Sequence, residues 1–314
     1  MVMSGKSFRA GRRRALAGLG AVVLASSTVG GAASAAVQIA PTAPTVLPRD
    51  ARIVVLDWGL IEVVLSLGVV PVGVSRPVWY TRLDGDPPLP STVVDTGLLF
   101  QPNFEVLAAL KPDLIVVTPW HAPLRAMLER VAPTFTVAMF GPGLDIYPAV
   151  RAATHQLGAK LGRDREADAL LQRADQQIAA AAQMVAGTGA AQRPLVVLRA
   201  LDNRHVSVAG PHSLFDGVLR QLGLVNAWQG ATDPQGMAEA DLAALAQHSD
   251  AQAVLFGTPP AIAAGLSRSP LWHALPFVAQ RGVAQIGPIP PTGGVVAATR
   301  FATSLVQALQ GVPR

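Results

Sequence analysis

DREADALLQRADQQIAAAAQMVA, residues Asp164–Ala186, is the stretch on which the fold turns. It holds neither proline nor glycine, and Ala167, Leu170, Leu171, Ala174 and Ile178 recur at helical spacing. Asp164 suits an N-cap, and Glu166 and Asp168 put negative charge in the first turn, where the helix dipole favours it. One unbroken helix here would run roughly 33 Å, the span of a small domain.

On either side of that helix the pattern is different. Before it, Ile53-Val-Val-Leu56 reads as a buried strand and Leu60 to Leu67 as the helix behind it, stopped by Gly68. Val70 to Val74, Val93-Val94, helix Phe104 to Leu110, strand Leu114 to Val117, helix Leu124 to Val131 and strand Thr134 to Ala138 continue the alternation. After it, the pattern restarts with strand Leu195 to Leu198 and helix Leu214 to Leu222. Helix Leu242 to Ala246, strand Ala253 to Phe256, helix Leu271 to Leu275, strand Val283 to Ile286 and a last helix Val295 to Leu309 follow. Continuous apolar strands alternating with helices predict mostly parallel sheets covered on both faces. The expected fold is therefore α/β, two αβ lobes bridged by one long helix, with a ligand cleft between the lobes. The boundaries read as 36–145 for the first lobe, 146–190 for a helical linker carrying the bridge, and 191–314 for the second lobe.

Residues 1–35 read as an export leader. Five basic and no acidic residues precede Ala33-Ser-Ala35, with Arg12-Arg-Arg14 ahead of an apolar run from Ala15 to Val29. Paired arginines, a short apolar segment diluted by Gly, Ser and Thr, and a small-residue cleavage site point to a twin-arginine signal rather than a membrane anchor. Its removal takes Lys6, Arg9, Arg12, Arg13 and Arg14 from the 25 basic residues, leaving 20 against 20 acidic ones. A neutral mature chain with scattered arginines and two lysines, Lys111 and Lys160, argues against nucleic acid. The chain contains no cysteine, so an exported protein of roughly 280 residues must rest on its core alone, and a lipid anchor on an N-terminal cysteine is excluded. A free exported chain is kept near the cell only where an outer membrane encloses a periplasm, which is the expected location.

Catalytic signatures are missing: there is no G-x-S-x-G elbow, phosphate loop or H-E-x-x-H helix. The six histidines show no short metal-ligand spacing, so neither a resident metal nor a cofactor is expected. Ser213 with His212 and Asp216 is the one compact nucleophile-like grouping, and adjacent Ser and His side chains point apart. Residues suited to gripping a large, partly apolar ligand gather instead after strands: Trp79-Tyr80 with Arg76 and Arg82, Trp120-His121, and Arg199. In parallel αβ sheets ligands sit beyond the carboxyl ends of strands, so these are cleft positions.

Several segments resemble a known family. Arg52-Ile-Val-Val-Leu-Asp-Trp58, Leu65-Ser-Leu-Gly-Val-Val-Pro-Val-Gly73, Val94-Asp-Thr-Gly97, Gly210-Pro-His-Ser-Leu-Phe215, Asn226-Ala-Trp-Gln-Gly230 and Ser269-Pro-Leu-Trp-His-Ala-Leu-Pro-Phe277 are similar to segments of the periplasmic ferric-hydroxamate binding proteins of bacterial iron uptake. The resemblance is colinear from about Arg52 to Phe301. It implies two lobes bridged by a rigid helix and no enzyme activity. It also implies a ferric siderophore held between the lobes, with iron present only as part of that ligand, and delivery by a monomer to an inner-membrane ABC permease with its ATPase. Another large chelate, a cobamide or haem, is the alternative cargo, and an exported siderophore hydrolase the alternative class.

In the family an arginine and a tyrosine hydrogen-bond the iron-hydroxamate centre. The positions aligned with them here read Leu99 and His121, and aromatic positions read Leu83, Val117, Gln235, Pro290 and Thr292. The expected first-lobe wall is Trp79, Tyr80, Leu99, Phe100, Trp120 and His121, and Trp228 matches the family either as a ligand contact or as packing under the pocket floor. Arg199, Gln235, Met237 and the Ile289 to Gly293 loop with Thr292 fall on the second-lobe wall. The resemblance also implies permease contact through a carboxylate on each lobe's outer face, for which Glu129 and then Asp216 or Glu239 are nearest; the expected first-lobe position reads Ala126. The leader makes its own prediction: replacing Arg13 and Arg14 with Lys should leave precursor in the cytoplasm, whereas wild type is processed to a chain beginning near Ala36. Normal processing of the double variant would assign the general secretory route.

Overall fold

The computed structural model describes residues 46–83, 85–186 and 192–311, and the expected leader lies outside them. Chain order is β1 (Ile53–Val55), α1 (Trp58–Ser66), β2 (Gly73–Val74), α2 (Pro77–Leu83), β3 (Val94–Asp95), β4 (Gly97–Leu98), β5 (Gln101–Pro102), α3 (Phe104–Leu110) and β6 (Leu114–Val117). A 3-10 turn Pro119–Leu124 leads to α4 (Arg125–Leu128), β7 (Thr134–Thr136), α5 (Ile146–Leu161) and α6 (Asp164–Ala186). The second lobe contains β8 (Leu195–Ala200), β9 (His205–Ala209), α7 (Leu214–Gln221), β10 (Met237–Asp241) and a 3-10 turn Leu242–Gln247. It continues with β11 (Gln252–Phe256), α8 (Pro260–Leu266), α9 (Pro270–Ala274), α10 (Pro276–Arg281), β12 (Val283–Ile286) and α11 (Val295–Gln310).

The first sheet runs β3-β2-β1-β6-β7 with every pairing parallel. The second runs β10-β9-β8-β11-β12; β8, β11 and β12 are parallel, but β9 and β10 are antiparallel additions. Those two strands have no counterpart in the sequence reading, and Leu242–Gln247 is a 3-10 turn where an α-helix was expected. His205-Val-Ser-Val-Ala209 is short and mixed, so only its long-range ladder identifies it.

Helix α6 follows the periodicity of its sequence and buries Ala167, Leu170, Leu171, Ala174, Ile178, Ala181 and Val185. It does not stand alone as a strut. Apolar side chains of α1, α5, α6, α7 and α11 join residues of both sheets, Val55 and Val116 from one and Val197 and Phe256 from the other, in one continuous core. Two sheets sharing one helical layer cannot separate without exposing that layer to water.

The sharpest link between the lobes is polar. Glu62 of α1 has no solvent exposure, yet its carboxylate accepts from the backbone N–H groups of Gly294 and Val296 at 2.7 Å and of Ala297 at 3.3 Å. These are the first donors of α11, which lack partners inside their own helix, and the positive end of the helix dipole meets the buried charge. The approach is close: a Cβ on Gly294 would come within 2.8 Å of Glu62 Oε1, and one on Gly59 within 2.2 Å of the Thr292 carbonyl oxygen. Glu62→Ala should therefore leave three buried donors without an acceptor and cost about 3 kcal/mol, with Glu62→Gln retaining part of the loss. Chemical denaturation of both variants checks this; stability equal to wild type would remove Glu62 from its role as the tie between lobes.

Candidate functional site

A cleft of about 770 Å³ opens between the two lobes beyond the carboxyl ends of β1, β6, β8 and β11. The chain leaves β1 through Asp57 and Trp58, leaves β6 through Thr118 and Trp120, and leaves β11 through Phe256 and Gly257, all of which face the cleft. The geometry is that of parallel αβ sheets, whose strand ends carry ligands.

The first-lobe wall is aromatic. Trp120, 38% exposed, stands edge-on to Phe140 with ring centroids 5.4 Å apart, and Phe100 lies at the rim, 48% exposed. Trp58 is fixed by its indole N–H, which donates to the Ser75 carbonyl at 3.0 Å. Asp57 closes the floor: it caps α1 by accepting from the Leu60 N–H at 3.1 Å, and burial raises its carboxyl pKa to about 6 despite that bond and another to Gly59. Being the cap, Asp57 also occupies the N-terminus of α1 that would otherwise face an anion.

The second-lobe wall contains Arg199, Ser207, Gln235, Met237, Glu239 and the Pro288–Thr292 loop. Arg199 is half-buried with its guanidinium 5.9 Å from the Phe256 ring, and desolvation pulls its pKa down. Gln235 and Met237 are positioned by Asp233, whose carboxylate accepts from both their N–H groups at 2.7 and 3.0 Å.

Of the expected site residues, Leu99, Phe100, Trp120, Arg199, Gln235, Met237 and Thr292 are brought together on the cleft. Three are not. Tyr80 is fully buried, its hydroxyl donating to the Pro87 carbonyl at 2.6 Å, because α2 turns its one buried side chain into the first-lobe core. His121 is also buried: its Nδ1 meets the Thr118 N–H at 3.3 Å and hydroxyl at 3.0 Å, and its Nε2 lies 3.1 Å from the Leu99 carbonyl oxygen. An Nε2–H tautomer satisfies these contacts, and burial lowers its pKa. Trp79 sits on the exposed face of α2 under the Arg82 guanidinium, outside the cleft lining.

The carboxylates expected to meet a permease also separate. Asp216 is buried, accepting from the Asn226 amide and the His212 N–H at 3.2 Å each, with Arg220 at 3.3 Å, so it is no outer-face contact. Glu239 faces the cleft rather than the outer surface. Glu129 is exposed and held by Arg125 at 2.7 Å and Thr134 at 2.9 Å, which depress its pKa. Trp228 packs beside His248 in the second-lobe core, away from the cleft. Ser213 is buried as the N-cap of α7, with its hydroxyl donating to the Gly210 carbonyl, so it presents no nucleophile. Asp57, Trp58, Phe140 and Ser207 were missed; Asp57 and Trp58 carried the clearest signal, since they directly follow the first apolar run.

Two αβ lobes joined through shared helices around an aromatic cleft define a substrate-binding protein of the bacterial import type. The chain belongs to the periplasmic binding protein family, whose profile matches residues 53–290. It is 32% identical to the iron(3+)-hydroxamate-binding protein FhuD of Escherichia coli strain K12, over 83% of this chain and 87% of that one. Among solved structures it is similar to the Fe3+–Desferal-bound siderophore binding protein FhuD from Vibrio cholerae, with TM-score 0.77 and 29% identity over 83% of this chain and 98% of that one. The petrobactin-binding protein YclQ from Bacillus subtilis shares the fold alone, with TM-score 0.64 and 17% identity over 83% and 92% of the two chains.

Asp57 makes a pH prediction. Because its pKa is raised in the fold, its stabilising contribution is complete below the unfolded value of 3.8 and is lost as pH rises through about 6. Between pH 7 and pH 4, the stability of wild type relative to Asp57→Asn should therefore rise by on the order of 3 kcal/mol. Denaturant unfolding of both proteins across that range checks it, and a pH-independent difference would contradict the burial of the carboxyl.

Proposed function

We propose that the chain is the exported binding component of an ATP-driven importer and that its cargo is a ferric siderophore, hydroxamates being the first class to test. The supporting observation is the cleft itself. Its 770 Å³ falls within the range for bound small molecules, and its aromatic first-lobe wall faces a wall bearing a half-buried cation. Aromatic faces cover the apolar arms of such a chelate, and the guanidinium is placed for an anionic group that it carries besides its iron-binding oxygens.

Capture needs little motion. The shared core and the Glu62 tie keep the lobes close to their bound spacing, so affinity comes from a largely preformed cleft. The protein works as a periplasmic monomer without a cofactor of its own, iron entering only inside the cargo, and passes it to an inner-membrane permease with its ATPase. Glu129 is the exposed first-lobe carboxylate proposed to meet that permease.

The haem alternative drew on a cleft-facing His or Tyr. His121 and Tyr80 are both buried with their polar atoms engaged, so nothing in the cleft favours it. Trp120→Ala should weaken a ferric hydroxamate by roughly 1 to 3 kcal/mol through lost stacking and burial. Tryptophan fluorescence titration of both proteins with ferric siderophores of several chemical classes tests the reading. Failure of every ferric siderophore to bind wild type would overturn it.

A further inference from the structure

Strand register lines up three polar residues across the second-lobe wall. Arg199 on β8 pairs with Ser207 on β9, and Ser207 pairs in turn with Glu239 on β10. Directly opposed residues of antiparallel strands project to the same face, and all three line the cleft. The outer two are separated by two strand spacings, about 10 Å, and no ion pair joins Arg199 to Glu239 among the described residues. Ser207 is 7% exposed, yet its hydroxyl has no hydrogen-bond partner among the described residues, and Arg199 has neither an ion pair nor a hydrogen bond there, only the Phe256 face. A half-buried cation and a hydroxyl, both without a protein partner among the described residues and facing the same cavity, are donors suited to an anion subsite.

We propose that Arg199 and Ser207 form a subsite for an anionic oxygen group of the ligand, such as a carboxylate, and that Glu239 at the end of the row disfavours further negative charge there. The inference rests on the siderophore reading and narrows it: among chelates of equal hydroxamate chemistry, the protein selects one bearing a negative charge directed at the second lobe. Arg82 of α2 lines the same cleft from the first lobe, its guanidinium 5.9 Å from the Trp79 ring, so Arg199 is the cation of the second-lobe wall.

Three ferric complexes separate charge from iron chemistry: the ferric complex of a citrate-based dihydroxamate (anionic), ferrichrome (neutral) and ferrioxamine B (cationic). Calorimetric titration of the mature wild-type chain should find the anionic complex tightest. Arg199→Gln should weaken it by about tenfold or more while changing the neutral complex less than about threefold. Arg199→Lys should recover part of the loss, and Glu239→Gln should tighten the anionic complex. Melting temperatures close to wild type show that each variant is folded. Equal affinity of wild type for the neutral and anionic complexes, or an Arg199→Gln loss that is the same for all three charges, would overturn the subsite while leaving the siderophore reading intact. Absence of binding by all three to wild type would overturn the subsite and remove hydroxamates as the cargo class.

Discussion

A carboxylate with no exposure to water, placed against the first turn of a helix 232 residues further along the chain, sets the geometry on which the remainder depends. Burying Glu62 is tolerable only because three backbone donors of α11 converge on it, and those donors are tolerable in the interior only because Glu62 is there. The pairing brings α1 of the first lobe and the loop before α11 within backbone contact, which is why Gly59 and Gly294 can have no side chain. That loop, Pro288–Thr292, is at the same time a wall of the cleft. The tie between the lobes and the shape of the binding site are thus one arrangement.

The long helix has a different role from the isolated strut that its sequence suggests. Helix α6 contributes one apolar stripe to a layer that also contains α5, α7 and α11, and both sheets pack on that layer. Rigidity then comes from shared burial rather than from the stiffness of a single helix. A cleft held this way is formed before the ligand arrives, so its lining residues carry selectivity with little ordering cost.

The most specific motifs of the chain build the scaffold and leave the cargo untouched. Asn226 donates to Ala209 and Asp216 and accepts from the Trp228 N–H, locking the Asn-Ala-Trp-Gln-Gly loop; Ser213 caps α7. The cleft wall is built by other residues. Leu99 and His121 are joined to each other through the Leu99 carbonyl and the imidazole. That hydrogen bond braces the wall carrying Phe100 and Trp120.

Local pattern made much of this legible. Breaker-free periodicity marks α6, continuous apolar runs mark β1, β6, β8 and β11, and the strand-end rule puts Trp120 and Arg199 at the cleft. These follow from the sequence because each depends on neighbours within a few residues. Tertiary structure alone decided that Tyr80 and His121 turn inward, that Asp216 is buried and Glu239 is not, and that β9 and β10 exist at all. Tyr80 reaches Pro87, His121 reaches Leu99 and Asp216 reaches Asn226, each beyond its own element, and no helix or strand periodicity shows whether such partners are present. The row of Arg199, Ser207 and Glu239 is the clearest case: the three are scattered over forty positions, and only the antiparallel register, fixed by burial of Leu198 and Val208 on the opposite face, sets them side by side.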